Sequence, residues 1–348
     1  MAQINKPNLY FNTLLWTGNN SARSLTGVGF QPDWIWIKDR TGSNNHAIFD
    51  SVRGVNKYIT SSQNIGELNQ PSSGYVSAFD SDGFSGVTGS SSYANWNGSG
   101  NNYVGWNWKA GGAGSANTDG STSATVSAST TSGFSIAKYT GTGSGASIGH
   151  GLGATPQIVF YKNLSANADW MFQSTLIANR TQLMLNNSDA TNTDSRFANV
   201  DSWSNSVFTV GTYADQNENS SQHIAYVFAE KKGYSKFGTY TGNGNADGAF
   251  VYTGFKPAMV IIKRTNGTAH WTINDTKRLG YNPCMRLYPN LNTAEETSSG
   301  EIDLISNGFK CKNTNNNING SGDTYVYMAF AEEPLVANVG QGIPATAR

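Results

Sequence analysis

Short apolar runs separated by polar turns recur along this chain in a fixed order. The first core run is Gly29-Phe30-Gln31-Pro32-Asp33-Trp34-Ile35-Trp36-Ile37-Lys38. The second is Gly153-Ala154-Thr155-Pro156-Gln157-Ile158-Val159-Phe160-Tyr161-Lys162, and the third is Gly254-Phe255-Lys256-Pro257-Ala258-Met259-Val260-Ile261-Ile262-Lys263. In each, a lysine follows the proline by six residues, and the span between is largely β-branched, aromatic or aliphatic. A run of that length behind turn residues predicts a buried strand. Three copies predict an internal repeat, which sets the architecture before any single element does.

The flanking pattern repeats as well. Upstream lies an aromatic-Thr-Gly: Trp16-Thr17-Gly18, Tyr139-Thr140-Gly141 and Tyr240-Thr241-Gly242. Downstream come a turn and a phenylalanine, at Phe84, Phe208 and Phe309. Each unit closes on an alternating strand, Tyr103–Ala110, His223–Glu230 and Tyr325–Glu332. Each unit is about 100 residues, the size of one small domain. The pattern predicts an all-β chain of three tandem β-sandwich or jelly-roll-like domains. The expected division is an N-terminal arm at 1–8, repeats at 9–110, 133–230 and 231–332, and a C-terminal arm at 333–348. Residues 111–132 have the Gly/Ser/Thr/Ala composition of a linker, loosely tethering repeats one and two or packing as an extended arm. No pattern predicts a helix of three turns. Phe172–Ala178 offers one short turn at best.

Composition narrows the functional classes. Of 348 residues only 13% are charged, against about 25% in a typical domain. Aromatics make up 12%, glycine counts 39, and the net charge is zero. Without a basic stripe, no nucleic-acid partner is expected. No apolar run approaches the length of a membrane span, so no membrane partner is expected either. The start, Met1 to Pro7, has no apolar signal core, so export by an ordinary signal peptide is not expected. Two cysteines, Cys284 and Cys311, exclude a disulfide framework. They either pair, if their strands are adjacent, or lie as small buried thiols.

Candidate chemistry is sparse. Repeats one and three share Asp-x-x-Arg, as Asp50/Arg53 and Asp275/Arg278, where repeat two has Ser174 and Ile177. The preferred reading is a structural ion pair holding a loop. Asp80-Ser81-Asp82-Gly83 resembles the start of a calcium loop but lacks the remaining ligands, and reads as a tight turn. The four histidines, His46, His150, His223 and His270, have no metal spacing. No nucleophile elbow, phosphate loop or dinucleotide fingerprint occurs, so neither an enzyme nor a cofactor is expected. Tyr93, Asn95, Trp96 and Asn97 form a long turn of aromatics and amides, and Trp203 sits in a loop of repeat two. Aromatic faces and amides suit carbohydrate binding. The competing reading folds these rings back to cap their own sandwich.

The repeated Gly-Phe-x-Pro motif, the aromatic-Thr-Gly and the closing Tyr325-Val326-Tyr327-Met328-Ala329-Phe330-Ala331-Glu332-Glu333-Pro334 resemble a family of tandem-repeat virion proteins of tailed bacteriophages, many from aquatic bacteria. Ile343–Arg348 is similar to endings in that family. The resemblance covers nearly the whole chain and implies no site residues. Repeat two departs most, with Gly153-Ala154 for Gly-Phe and no Asp-x-x-Arg. What the resemblance implies is a protein at the virion surface with other virion proteins as partners. Two roles follow. One is a tail-fibre adhesin contacting host surface carbohydrate, where three sites on one chain gain avidity. The other is a capsid or tail decoration protein whose three domains imitate a trimer. The family label favours the fibre, which is the expected role; the lack of a coiled coil or anchor domain favours decoration, the alternative.

Overall fold

The computed structural model describes residues 3–69, 72, 74–89, 96–278, 281–296 and 300–335. Each repeat is a sandwich of an inner and an outer antiparallel sheet. The inner sheets share one strand order, opening–closing–core–fourth. The opening strands are Phe11–Thr17, Phe134–Thr140 and Ser235–Thr241, and the core strands are Trp34–Asp39, Ile158–Asn163 and Phe255–Arg264. The fourth strands are Ala47–Asp50, Met171–Ser174 and Thr272–Asp275. The closing strands are Asn102–Trp108, Gln222–Phe228 and Thr324–Pro334. The third closing strand therefore takes in Glu333 and Pro334, which composition had put in the C-terminal arm; the rest of that arm lies almost wholly outside the described residues. Among the described residues the one α-helix is Ala214–Asn217, and none is long and apolar enough to cross a membrane. Phe172 lies on a strand, not on the helical turn its neighbours suggest.

Alternation along the core strands explains why every residue of Trp34–Asp39 and Ile158–Asn163 is buried. Side chains at successive positions point to opposite faces. Ile35, Ile37, Val159, Tyr161, Val260 and Ile262 face the outer sheet of their own repeat. Trp34, Trp36, Ile158, Phe160, Met259 and Ile261 face the other way, into one core shared by all three repeats. The closing strands obey the same parity, sending Trp106, Trp108, Tyr226, Phe228, Met328 and Phe330 into that shared core. The equivalent rings Trp108, Phe228 and Phe330 meet there: Phe330 lies 5.5 Å from Trp108 and 5.9 Å from Phe228 between centroids. Trp34 of repeat one stacks on Tyr226 of repeat two at 4.7 Å.

The three repeats are thus arranged around a common axis, and the chain closes on itself. Residues 3–9 close the ring. Ile4 is buried in the shared core and its N–H donates to the Lys232 carbonyl at 3.0 Å, between repeats three and one.

Residues 111–132 are not a free linker. Ser115–Asn117 and Ala124–Ser129 are strands that extend the inner sheet of repeat two beyond its opening strand, to eight strands. Ala124 and Val126 are buried on either side of exposed Thr125, the alternation of a strand with one covered face. The segment covers an edge that would otherwise be open to pairing.

Glycine marks one left-handed turn and one close fit in each repeat. Gly29, Gly153 and Gly254, three residues before each proline, have φ of 87°, 64° and 80°, a region that an L side chain occupies at a cost. Gly18, Gly141 and Gly242 are the glycines of the aromatic-Thr-Gly motif. A Cβ there would stand 2.0, 2.1 and 2.3 Å from the carbonyl oxygens of Gly98, Glu218 and Gly320. Gly141→Ala should therefore lose about 1–3 kcal/mol of stability through overpacking. Gly145→Ala, in the same turn, where a Cβ would make only an ordinary contact 3.8 Å from the Val210 carbonyl oxygen, should stay within about 0.5 kcal/mol. Urea titration of the two variants distinguishes them, and equal stabilities would contradict the close approach.

Candidate functional site

Tyr93 and Asn95 lie outside the described residues. Trp96, Asn97 and Trp203 are buried, which corrects their assignment as surface contacts for carbohydrate. Trp96 is 1% exposed. Its indole N–H donates to the Val87 carbonyl at 2.5 Å, and its ring lies 6.3 Å from Phe84. Trp203 belongs to the core of repeat two with Val200 and Phe208. Both rings cap their own sandwich, so neither offers a face to a sugar.

Asn97 is one of three equivalent amides with Asn217 and Asn319, each six residues before the residue that opens the closing motif, Tyr103, His223 or Tyr325. All three are buried and lock the turn after aromatic-Thr-Gly. Asn97 donates to the Ser21 carbonyl at 2.6 Å, Asn217 to Ser144 at 2.6 Å and Asn319 to Asn245 at 2.8 Å. The carbonyl before each amide accepts from the motif's aromatic: Trp16 to Trp96 at 2.9 Å, Tyr139 to Gln216 at 2.6 Å, Tyr240 to Ile318 at 2.6 Å. The equal spacing was legible in the sequence; reading Asn97 by itself concealed it.

The repeated lysines turn out to be the seams between repeats. Lys38, Lys162 and Lys263 share the inward parity of their strands and are essentially unexposed. Each donates to a main-chain carbonyl of the preceding repeat in the ring: Lys162 to Asn64 at 3.0 Å, Lys263 to Ser188 at 3.3 Å, Lys38 to Asn292 at 3.2 Å. Carbonyls of their own repeat complete the sets, at Ala168, Arg264, and Asp39 with Gly42. Eight residues beyond each lysine stands a ring with the same duty. Trp170 donates to Thr60 O at 2.7 Å and Trp271 to Met184 O at 2.8 Å, while His46 Nε2 pairs with Tyr288 O at 3.0 Å. A backbone bond repeats three times too: Glu67 N–H to Leu164 O, Thr191 N–H to Thr265 O and Glu295 N–H to Arg40 O, at 2.8, 2.9 and 2.9 Å.

The Asp-x-x-Arg pairs also lie at these seams, as structural ion pairs. Arg53 Nε donates to Asp50 Oδ2 at 2.5 Å, and Arg278 Nε to Asp275 Oδ2 at 2.6 Å, all fully buried. The other carboxylate oxygen caps the N–H of Arg53 or Arg278, and the guanidinium reaches Glu67 or Glu295. Each aspartate also accepts from the closing strand of the next repeat: Tyr226 Oη to Asp50 at 2.7 Å, Trp106 Nε1 to Asp275 at 3.0 Å. At the seam between repeats two and three the equivalent residues are Ser174, Ile177, Thr191 and Met328. The acid, the base, the second acid and the donor are replaced as a set.

No group of three or more His, Cys, Asp or Glu residues is placed to hold a metal among the described residues. Asp82 is spent on the turn, accepting from Gly29 N–H at 2.6 Å. Cys284 and Cys311 are buried thiols that form no disulfide with each other: each lies beside Ile302, which separates them. The exposed aromatics are ones the sequence reading missed. Tyr281 is 61% exposed, and Phe250 and Tyr252, 49% and 55% exposed, flank buried Val251 on an edge strand of repeat three. Repeats one and two carry Ser24 and Thr26, or Ser147 and Gly149, at those positions, so the fold does not require rings there.

Burial lowers the lysine pKa values, to about 8 for Lys38, about 8 for Lys162 and about 7 for Lys263. The folded values lie below the ordinary 10.5, so the unfolded chain binds more protons in between. Stability therefore rises as pH climbs from 7 to 9, by on the order of 1 kcal/mol per pH unit for each lysine. Urea unfolding at the two pH values tests this. The Lys162→Met variant should show a shallower slope whatever its absolute stability. A wild-type protein that loses stability over this range would contradict the assignment.

Comparison with known proteins adds a family and nothing finer. No curated protein and no solved structure matches the chain. A family model described as a domain of unknown function, DUF7483, matches residues 6–334. That match spans all three repeats, and the chain belongs to the DUF7483 family.

Proposed function

We propose that this protein is a non-enzymatic structural component of a tailed-bacteriophage virion, a decoration protein in which one chain stands in for a trimer. The observation that carries this reading is the closed ring. The same backbone bond joins repeat one to two, two to three, and three back to one. Head-to-tail contacts that close at three make a trimer-like body without a trimer. Such a body suits a three-fold position on a particle, held by contacts with other virion proteins.

The adhesin reading has less support. It drew on avidity from three sites on one chain, and on contacts to host carbohydrate that include Trp96, Asn97 and Trp203. The repeats share a core, and those side chains are buried.

Antibody-gold electron microscopy of purified virions tests the proposal, alongside light scattering of the free protein. Label spread over the head or along the tail is expected, from a protein that is monomeric in solution because its three seams are already satisfied. Label confined to fibre tips would favour the adhesin instead. An obligate trimer of chains would contradict the single-chain body, and the absence of label on every particle would overturn the virion assignment.

A further inference from the structure

The ring departs from three-fold symmetry at the seam between repeats two and three, where the buried ion pairs are missing, and an open cleft of about 490 Å³ lies there. Its floor is Leu176 and Ile177, which also pack on the shared core. Its walls are threonines from both repeats, among them Thr181, Thr191, Thr239 and Thr241. The volume falls within the range of small-ligand sites, and the junction of two domains is where such sites concentrate.

The lining defines the ligand. At the other two seams the positions of Ile177 and Thr191 hold an arginine and a glutamate, in ion pairs. Here both charges are gone. Among the described residues no Asp, Glu, Lys, Arg or His lines the cleft. The charges adjacent in sequence to lining residues have other partners: Arg264 and Asp323 are bonded to each other at 2.6 Å, Asp194 pairs with Arg196, and Arg180 donates to the Ser195 and Phe197 carbonyls. Tyr240 is committed to the Ile318 carbonyl at 2.6 Å. An ionic ligand would be desolvated with no counter-charge. A wholly apolar one would strand the hydroxyls.

Several of these hydroxyls are held in place by their neighbours. Thr181 and Thr193 share a hydrogen bond at 2.8 Å, and Thr191 donates to the Thr265 carbonyl at 3.1 Å. Each threonine offers a methyl and a hydroxyl side by side, above an aliphatic floor. That alternation matches a sugar ring, whose C–H face and hydroxyl rim make the same demands.

We propose that the seam between repeats two and three binds a neutral saccharide of one or two residues. The inference does not depend on where the protein sits on a particle. Saturation-transfer NMR on the full chain tests it, with methyl glucoside, methyl galactoside, N-acetylglucosamine and lactose as neutral probes and a methyl glucuronide as the anionic one. Transfer to the ring protons of at least one neutral probe is expected. The double variant Ile177→Arg/Thr191→Glu, which rebuilds the charges of the other seams inside the cleft, should weaken binding by about tenfold or more, the worth of one or two lost contacts. Thr241→Arg changes an exposed residue and should weaken it without touching the fold. No transfer to any neutral probe, preference for the glucuronide, or binding unchanged in both variants would overturn the proposal. The last result would point instead to exposed rings such as Phe250 and Tyr252.

Discussion

A sheet that is apolar on both faces has to be covered twice, and this constraint shapes the molecule. The outer sheet of each repeat covers one face of the inner sheet. Nothing within the repeat covers the other, where Trp34, Trp106 and Trp108 or their counterparts point. Only the neighbouring repeats can remove that surface from water. At about 25 cal/mol per Å² of apolar surface, a handful of aromatic side chains outweighs the cost of ordering the chain between repeats. Three inner sheets turned toward one axis satisfy the constraint together, which is why the repeats are not beads on a string.

The seams then have to deal with polar groups that the shared core takes out of water. Loop carbonyls at 60–64, 184–188 and 288–292 are met by the buried lysines and by the ring nitrogens of Trp170, Trp271 and His46. The buried Asp–Arg pairs follow the same logic. Removing one partner of such a pair leaves an uncompensated charge, at a cost of about 3–5 kcal/mol, whereas replacing the whole group with uncharged residues can be neutral. The seam between repeats two and three is the second case. Ser174, Ile177, Thr191 and Met328 leave no orphaned charge.

Much of this was legible in the sequence because it comes in triplicate. The core strands, the aromatic-Thr-Gly and the closing strands each announce themselves by pattern and spacing, and the structural reading of Asp-x-x-Arg follows from its absence in one repeat. What was misread was read singly. Trp96 and Asn97 look like an exposed aromatic turn until Asn217 and Asn319 are set beside Asn97. The strand Ala124–Ser129 looks like a linker because an edge strand of small residues has the same composition as a flexible tether. Ring closure was legible only in its donors, the three repeated lysines. Its acceptors are main-chain carbonyls in loops, which any residue supplies.

The central claim is that the three repeats fold as one body around one core. Equilibrium unfolding tests it most directly, followed by tryptophan fluorescence and far-ultraviolet circular dichroism together, with calorimetry to compare the measured and van't Hoff enthalpies. The account predicts a single transition, coincident in both probes, with the two enthalpies equal. Two or three separable transitions, or a fragment of residues 9–110 that folds stably by itself, would contradict it.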